Sequence, residues 1–182
     1  MMRAVFLDRD GVLNRAVVRK GKPHPPANLD ELEIPDDVPV ALQMLRDAGF
    51  RLIGATNQPD VARGAQTRAM VEMINAALCA RLPLDEIRVC YHDDVDACEC
   101  RKPAPGLLTQ AAREHAIDLA ASFMIGDRWK DIEAGRRAGC TTIHLDGNYA
   151  ETWRGEPAVV CVHSLREAAE WILSRIKVEE HS

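Results

Sequence analysis

The sequence predicts a three-layer α/β fold with a Rossmann-like parallel sheet and helices on both faces. Short apolar runs alternate with longer segments that carry apolar residues at three- and four-residue spacing. This alternation is typical of a sheet whose parallel strands are joined by crossover helices. At 182 residues, the chain is long enough for one domain with its own core. We therefore expect a single domain over residues 1–176 and a flexible tail over residues 177–182.

Each element of this fold has its own pattern in the sequence. Apolar runs predict strands at residues 4–7, 51–55, 88–91, 123–125 and 141–145, and the run 158–162 is a candidate sixth strand. Helical spacing predicts helices at 38–48, 67–80, 106–115, 130–138 and 164–176. Gly49 and Gly139 follow two of these helices and fit left-handed positions at helix ends. The segment 21–26 contains three prolines and is predicted as an exposed loop.

The charge and hydropathy of the chain argue against some classes of partner. The formal net charge is −5, whereas binding along a nucleic-acid backbone depends on clustered Lys and Arg. No apolar run is long enough to cross a bilayer, and the first residues lead into a strand without the pattern of a secretory signal. We therefore expect a monomeric cytoplasmic protein that binds neither nucleic acid nor membrane.

Two carboxylates follow the first predicted strand. Asp8 and Asp10 precede Gly11, at the carboxyl end of a strand, where parallel sheets bind ligands. Taken alone, a short Asp-x-Asp pattern is better explained by a solvated loop. Thr56 and Asp127 also follow apolar strands, however, and this repetition around one sheet favours an active site.

Four motifs resemble those of the haloacid dehalogenase superfamily of phosphatases. They are Phe-Leu-Asp-Arg-Asp-Gly-Val-Leu-Asn at residues 6–14, Thr-Asn-Gln at 56–58, Arg-Lys-Pro at 101–103 and Gly-Asp at 126–127. The motifs occur in the expected order, and the resemblance covers residues 3–150. As a set they are specific, although each one is weak on its own. The resemblance implies a phosphoric monoester hydrolase.

The resemblance also implies a role for each motif residue. Asp8 is the expected nucleophile, which forms an aspartyl-phosphate, and Asp10 is the expected general acid and base. Thr56 and Lys102 complete the expected catalytic set by stabilising charge on the phosphoryl group. The expected Mg²⁺ ligands are the carboxylates of Asp8 and Asp127 and the backbone carbonyl of Asp10. The expected substrate contacts are Asn57, Gln58, Arg101, Lys102 and Arg128.

A second group of candidate metal ligands lies in the middle of the chain. Cys90, His92, Cys98 and Cys100 offer three thiolates and one imidazole, which would fill tetrahedral Zn²⁺ and leave no position open for catalysis. Buried free cysteines or a disulfide are the alternatives. The Cys-x-His and Cys-x-Cys pairs before Arg-Lys-Pro resemble the zinc-loop subgroup of the superfamily, which contains heptose-bisphosphate and histidinol-phosphate phosphatases. The resemblance implies a structural zinc that orders this loop.

The motifs leave three functions open. The subgroup resemblance implies hydrolysis of the C7 phosphate of D-glycero-D-manno-heptose 1,7-bisphosphate, a small phosphorylated sugar. A phosphatase for histidinol phosphate or another small sugar phosphate is the enzymatic alternative, and a noncatalytic zinc-stabilised binding scaffold is the alternative from another class. No sizeable insertion separates Thr56 from Lys102, so no large cap domain is expected. Asp131 is left open between a side chain that supports the metal ligands and an acid favoured by a helix N-terminus.

Overall fold

Strands and helices alternate along most of the chain. The computed structural model describes residues 2–19, 21–147 and 152–179. In these ranges the strands are β1 (Ala4–Leu7), β2 (Val17–Arg19), β3 (Lys22–His24), β4 (Arg51–Asn57), β5 (Glu86–Cys90), β6 (Phe123–Gly126), β7 (Thr141–Leu145) and β8 (Val160–Val162). The α-helices are α1 (Asp37–Asp47), α2 (Arg68–Arg81), α3 (Gly106–His115), α4 (Trp129–Ala138) and α5 (Leu165–Glu179).

The main sheet is parallel throughout its described strands. Its order is β5-β4-β1-β6-β7-β8. The chain leaves β1 toward β4 on one side and later returns to β6 on the other, with Leu7 in register with both Gly54 and Ile125. Such a reversal of strand order opens a crevice at the carboxyl ends of the strands, where α/β proteins bind their ligands. The structure therefore places its binding crevice directly after β1.

Alternate residues of β1 face two separate apolar cores. Val5 and Leu7 pack with buried residues of α1, α2 and α5, whereas Ala4 and Phe6 pack with buried residues of α3 on the opposite face. The helix α4 lies against β6 and β7 on the α3 side, where a Cβ at Gly135 would meet Met124. Strands covered on both faces are apolar along their whole length, as β1 is. The predicted three-layer α/β class is confirmed.

Most predicted elements have observed counterparts. The candidate sixth strand is observed as β8, while β4 continues two residues beyond its predicted end, and β5 begins two residues early. Gly49 and Gly139 have φ values of +84° and +90°, as expected for residues that end helices. The flexible tail was predicted from residue 177, whereas α5 continues to Glu179 and residues 180–182 lie outside the described residues. None of the described helices combines the length and apolarity that crossing a membrane requires.

The prediction of a loop at residues 21–26 is wrong for residues 22–24. These residues form β3, which pairs with β2 in an antiparallel hairpin that places Pro23 opposite Val18. A two-stranded hairpin tolerates proline because each strand keeps one edge free of ladder hydrogen bonds. Pro23, His24 and Pro25 line the crevice after β1. The hairpin therefore covers part of the candidate site in place of a large cap domain.

Candidate active site

Three buried carboxylates meet at the carboxyl ends of β1 and β6 and the first turn of α4. Asp8, Asp127 and Asp131 each offer an oxygen, and these oxygens lie within 4.8 Å of one another. We call this group the carboxylate cluster. Asp127 is 4% exposed, and neither of its carboxylate oxygens has a hydrogen-bond partner. An unpaired buried carboxylate is costly, and oxygen ligands of this kind suit Mg²⁺. The cluster therefore fits a divalent cation.

Backbone hydrogen bonds fix the segment that carries Asp8. The Asp8 amide donates to the carbonyl of Ile125 at 2.9 Å, which ties the end of β1 to β6. The following turn is closed on the carbonyl of Arg9, which accepts from the amides of Leu13 and Asn14 at 2.8 and 3.1 Å. Asp8 therefore takes its position from the sheet and from this turn.

Gly11 allows the turn to approach Asp127 closely. Its φ is +96°, a conformation that L side chains rarely adopt, and an added Cβ would lie 2.1 Å from Oδ2 of Asp127. Any larger residue would both strain the backbone and displace the unpaired carboxylate. The glycine in this motif is therefore required by the geometry of the carboxylate cluster.

Asp10 is held by three side chains from two loops. Arg9, which is fully buried, donates to Oδ1 and Oδ2 at 3.2 and 3.0 Å, and Asn14 donates to Oδ1 at 3.0 Å. Gln58 donates from one amide nitrogen to Asp10 at 2.8 Å and to Thr56 Oγ1 at 3.0 Å. Gln58 was predicted as a substrate contact, but these two hydrogen bonds use its amide nitrogen inside the site. Sequence reasoning missed Arg9, whose burial no local pattern signals.

Lys102 lies between two carboxylates of the cluster. Its Nζ is 2.7 Å from Asp8 Oδ1, 2.5 Å from Asp131 Oδ1 and 2.6 Å from the carbonyl oxygen of Ala55. Asn57 fixes the backbone of Lys102 by donating to its carbonyl at 2.9 Å and accepting from its amide at 3.1 Å. Asp131 also accepts from the Arg128 amide at 3.0 Å. Asp131 therefore caps the first turn of α4 and also lies beside Lys102 and Asp8, so the two alternatives that the sequence left open are compatible with each other.

Burial and neighbouring negative charges raise the pKa values of two carboxylates of the cluster. Burial, followed by the nearby charge of Asp131, raises the pKa of Asp8 to about 7, although Lys102 opposes this shift. Burial and the charges of Asp8 and Asp131 hold the pKa of Asp127 well above its usual value. Burial disfavours the charged form of Lys102, but Asp131 and Asp8 outweigh it and raise the pKa of this lysine. A cation would favour ionisation of both Asp8 and Asp127.

A cavity of about 260 Å³ opens above the carboxylate cluster. Thr56 and Asn57 line it from the end of β4, and Ala16 lines it together with the hairpin. Its walls carry more cationic side chains than the sequence predicted: the predicted Arg101, Lys102 and Arg128, and in addition Arg63 and Lys130. An anionic ligand fits such a surface, because charge-assisted hydrogen bonds to phosphate are strong.

The four predicted zinc ligands converge at the end of β5. Cys90, His92, Cys98 and Cys100 have ligand atoms within 4.8 Å of one another, and we call them the Cys/His cluster. The thiol sulfurs are 3.2 to 3.6 Å apart, and His92 Nδ1 lies 3.4 and 3.6 Å from two of them. Zinc–sulfur bonds of about 2.3 Å in a tetrahedron require sulfur separations of about 3.8 Å. The cysteines are free thiols, and their arrangement fits zinc rather than a disulfide.

The loop that carries the Cys/His cluster has little other structure. Between His92 and Cys98 it contains one 3-10 turn, Asp94–Asp96, which ends at left-handed Ala97. Burial is the main cause that raises the pKa of Cys90, and its hydrogen bond with Cys100 is the second. Burial also acts against ionisation of Cys98, but hydrogen bonds led by that from Cys100 lower its pKa to about 7. Zinc binding would favour the thiolate form of every cysteine in the cluster.

Comparison with known proteins identifies the family. A family model described as "HAD-hyrolase-like" matches residues 99–168. A D-glycero-beta-D-manno-heptose-1,7-bisphosphate 7-phosphatase from Yersinia pestis is 36% identical over 186 residues, which cover 95% of this chain and 90% of that protein. The chain belongs to this phosphatase family. The 7-phosphatase from Escherichia coli (strain K12) is 35% identical over 185 residues, covering 95% of this chain and 89% of that protein.

Solved structures from the same phosphatase family share the fold. A D,D-heptose 1,7-bisphosphate phosphatase from B. bronchiseptica, complexed with magnesium and phosphate, has 29% identity and a TM-score of 0.76, covering 96% of this chain and 99% of that one. The corresponding enzyme from Burkholderia thailandensis has 23% identity and a TM-score of 0.65, which shows the fold alone. The predictions of the superfamily, of the fold without a large cap domain and of a phosphoric monoester hydrolase are confirmed.

Proposed function

We propose that this protein removes the C7 phosphate of D-glycero-beta-D-manno-heptose 1,7-bisphosphate. The observation that carries the proposal is the pairing of Asp8 with Lys102 beside the unpaired Asp127, at the floor of a cavity with cationic walls. The named activity of relatives at 34 to 36% identity over 95% of this chain supports the substrate. Its two phosphates match a cavity that carries cations both at its floor and on its walls.

Asp8 is the proposed nucleophile. One carboxylate oxygen of Asp8 is paired with Lys102, so the other oxygen attacks phosphorus and forms an aspartyl-phosphate. The bond between phosphorus and the C7 oxygen breaks, and Asp10 donates a proton to the leaving oxygen. Asp10 then accepts a proton from water as that water attacks phosphorus. The bond between phosphorus and the Asp8 oxygen breaks and inorganic phosphate leaves, so that Asp8 is again a carboxylate and Asp10 again holds its proton.

The carboxylate cluster is the proposed Mg²⁺ site. Asp8 and Asp127 would hold the ion through their carboxylates, and Asp10 through its backbone carbonyl. Bound Mg²⁺ supplies positive charge for the phosphoryl oxygens and neutralises the cluster. Asp131 and Asn57 keep Lys102 in position beside Asp8. Gln58 and Arg9 keep Asp10 in position, because each hydrogen bond restricts the rotation of its carboxylate.

The remaining predicted residues have proposed roles around the two phosphates. Thr56 donates its hydroxyl to the phosphoryl group at Asp8, and Asn57 contacts the same group from the cavity wall. Arg101 and Arg128 bind the second phosphate, because both line the cavity outside the carboxylate cluster. The Cys/His cluster is a proposed structural zinc site. The monomeric state and the cytoplasmic location stay predictions.

A substrate panel tests the proposed function. Purified protein is incubated with the β and α anomers of heptose 1,7-bisphosphate and with histidinol phosphate, with and without added Mg²⁺, and phosphate release is measured. We expect the highest kcat/KM for the β anomer, dependence on Mg²⁺, and a product that retains the C1 phosphate. A higher kcat/KM for histidinol phosphate, or equally poor turnover of all three compounds, would contradict the proposed substrate.

A further inference from the structure

Alternating charges extend along the rim of the cavity, between the Cys/His cluster and α4. Asp94 Oδ1 accepts a hydrogen bond from Arg101 Nε at 2.7 Å and lies 3.7 Å from Lys130 Nζ. The preceding residue, Asp93, forms a bidentate pair with Arg63, with contacts of 2.5 and 2.7 Å. All three cations line the cavity. Two carboxylates of the loop that carries the Cys/His cluster are therefore paired with cations of the cavity. One of these cations, Arg101, is a proposed substrate contact.

Asp94 is held less firmly than Asp93. The Asp93 side chain is 21% exposed, and it caps the turn Asp94–Asp96 by accepting from the Asp94 amide at 2.7 Å. The Asp94 side chain is 66% exposed, and among the described residues its carboxylate is paired only with Arg101 and Lys130. Exposed ion pairs of this kind contribute little to stability. Asp94 can therefore rotate into solvent without loss of the turn.

Arg101 keeps its position when Asp94 rotates away. Its side chain is 10% exposed, and Nη1 donates to the carbonyl of His92 at 3.3 Å. It also lies between Cys100, a member of the Cys/His cluster, and Lys102, which is anchored on Asp8. A phosphate carries more negative charge and more acceptor oxygens than a single exposed carboxylate. The guanidinium is therefore a better partner for phosphate than for Asp94.

We propose that Asp94 is an intramolecular competitor for the second phosphate of the substrate. The inference rests on the proposed function, in which the C7 phosphate lies at Asp8 and Arg101 binds the C1 phosphate. Binding then exchanges one anion, the Asp94 carboxylate, for the C1 phosphate. The product keeps the C1 phosphate, and the return of Asp94 to Arg101 promotes its release. Asp94 therefore weakens the binding of every compound with a C1 phosphate and does not affect a C7 monophosphate.

A comparison of two ligands tests this role. Calorimetry on protein loaded with Mg²⁺ and Zn²⁺, in an Asp8→Asn background that blocks turnover, measures Kd for heptose 1,7-bisphosphate and for heptose 7-phosphate. We expect Asp94→Asn to tighten binding of the bisphosphate about 3- to 10-fold and to change Kd for the monophosphate less than about twofold. Glu99→Gln is the matched control. It removes one negative charge from the same loop, and no ion pair among the described residues includes Glu99.

The possible outcomes separate this inference from the proposed function. Asp94 has no such role if Asp94→Asn leaves Kd for the bisphosphate within about twofold or weakens it, if it tightens both ligands equally, or if Glu99→Gln acts as strongly. Wild-type turnover tests the substrate independently. A wild type that hydrolyses a different sugar bisphosphate would overturn the heptose assignment, and the same comparison with that ligand would still decide the role of Asp94. A wild type that binds no sugar bisphosphate would overturn both.

Discussion

The carboxylate cluster and the Cys/His cluster are both candidate metal sites, but they are built in opposite ways. Asp8 and Asp127 follow central strands whose backbone hydrogen bonds fix them, and both are buried. The Cys/His cluster lies at the end of β5 on a charged, mostly exposed loop with one 3-10 turn. In the first site the fold brings buried carboxylates together, and a bound cation would neutralise their charge. In the second site a bound cation would order a loop that has little other structure.

The largest expected effect comes from changing the reacting atom of the carboxylate cluster. Asp8→Asn keeps the shape of the side chain but removes the nucleophilic oxygen, so we expect phosphate release to fall by at least about 10⁴-fold. Zinc content, measured on the same protein, should be unchanged, because the fold positions Asp8 independently of the Cys/His cluster. Asp30→Asn, at an exposed position outside the site, is the control. Turnover by Asp8→Asn within tenfold of wild type would refute the nucleophile.

A pair of glycine substitutions tests whether the backbone fixes the carboxylate cluster. Gly11→Ala places a Cβ 2.1 Å from Asp127 Oδ2, and we expect kcat/KM to fall by about 10²-fold with weaker activation by Mg²⁺. Gly49→Ala is the control, because Gly49 has a similar positive φ of +84° and open space around its added Cβ. It should lower Tm without changing kcat/KM. Equal activity losses in both variants would show that backbone strain alone is responsible.

The Cys/His cluster should respond in stability and in substrate affinity. Cys98→Ser removes one zinc ligand, and we expect Tm to fall by about 10 °C and KM to rise more than kcat falls, because the loop carries Arg101. Cys79→Ser, in an exposed cysteine of α2, is the control and should change neither quantity. A Cys98→Ser protein that retains one zinc per chain and wild-type Tm would exclude a structural role for the cluster.

The smallest expected effect is the pH dependence of stability without Mg²⁺. The folded-state pKa of Asp8 is raised from 3.8 to about 7, so between these values the folded protein holds a proton that the unfolded chain has lost. Stability contributed by this group therefore falls as pH rises through that interval. In Mg²⁺-free buffer that leaves zinc bound, we expect Tm to fall by about 5 °C between about pH 5 and pH 8.

Two controls isolate the contribution of Asp8 to this pH dependence. Asp8→Asn should reduce the slope of the curve, because the variant has no proton to lose at that position, while Asp127, whose pKa is also raised, keeps its own contribution. Saturating Mg²⁺ should flatten it as well, because the cation favours the ionised carboxylate. If the slope of Tm against pH in both controls equals that of the Mg²⁺-free wild type, the pH dependence comes from other groups.

The sequence predicted what depends on local pattern. Parallel strands such as β1 are apolar along their length because both faces are covered, and the motif residues follow strands whose carboxyl ends meet at one edge. Asp8, Thr56 and Asp127 could therefore be assigned to one site. The pairing of β2 with β3 was missed because two short strands with a proline carry no periodic signal.

Long-range contacts account for the other differences. Arg9 is buried against Asn75, 66 residues away in the chain, at 2.9 Å, and an arginine between two aspartates reads as an exposed loop residue. Asp131 meets Lys102 because α4 and the segment that follows the Cys/His cluster converge at the end of β1. Gln58 belongs to a recognised motif, but its hydrogen bonds to Asp10 and Thr56 depend on how two loops meet. Such partners are set by tertiary packing.

In the proposed mechanism Asp8 forms a covalent bond to phosphorus, while the Cys/His cluster serves only to order the loop. Acid quench of the Mg²⁺-loaded enzyme during turnover of heptose 1,7-bisphosphate, followed by peptide mass spectrometry, tests it most directly. We expect a phosphate adduct on the peptide that contains Asp8, which appears only with substrate and is missing from Asp8→Asn. Sustained turnover with that peptide unmodified, or with the adduct on another residue, would contradict it.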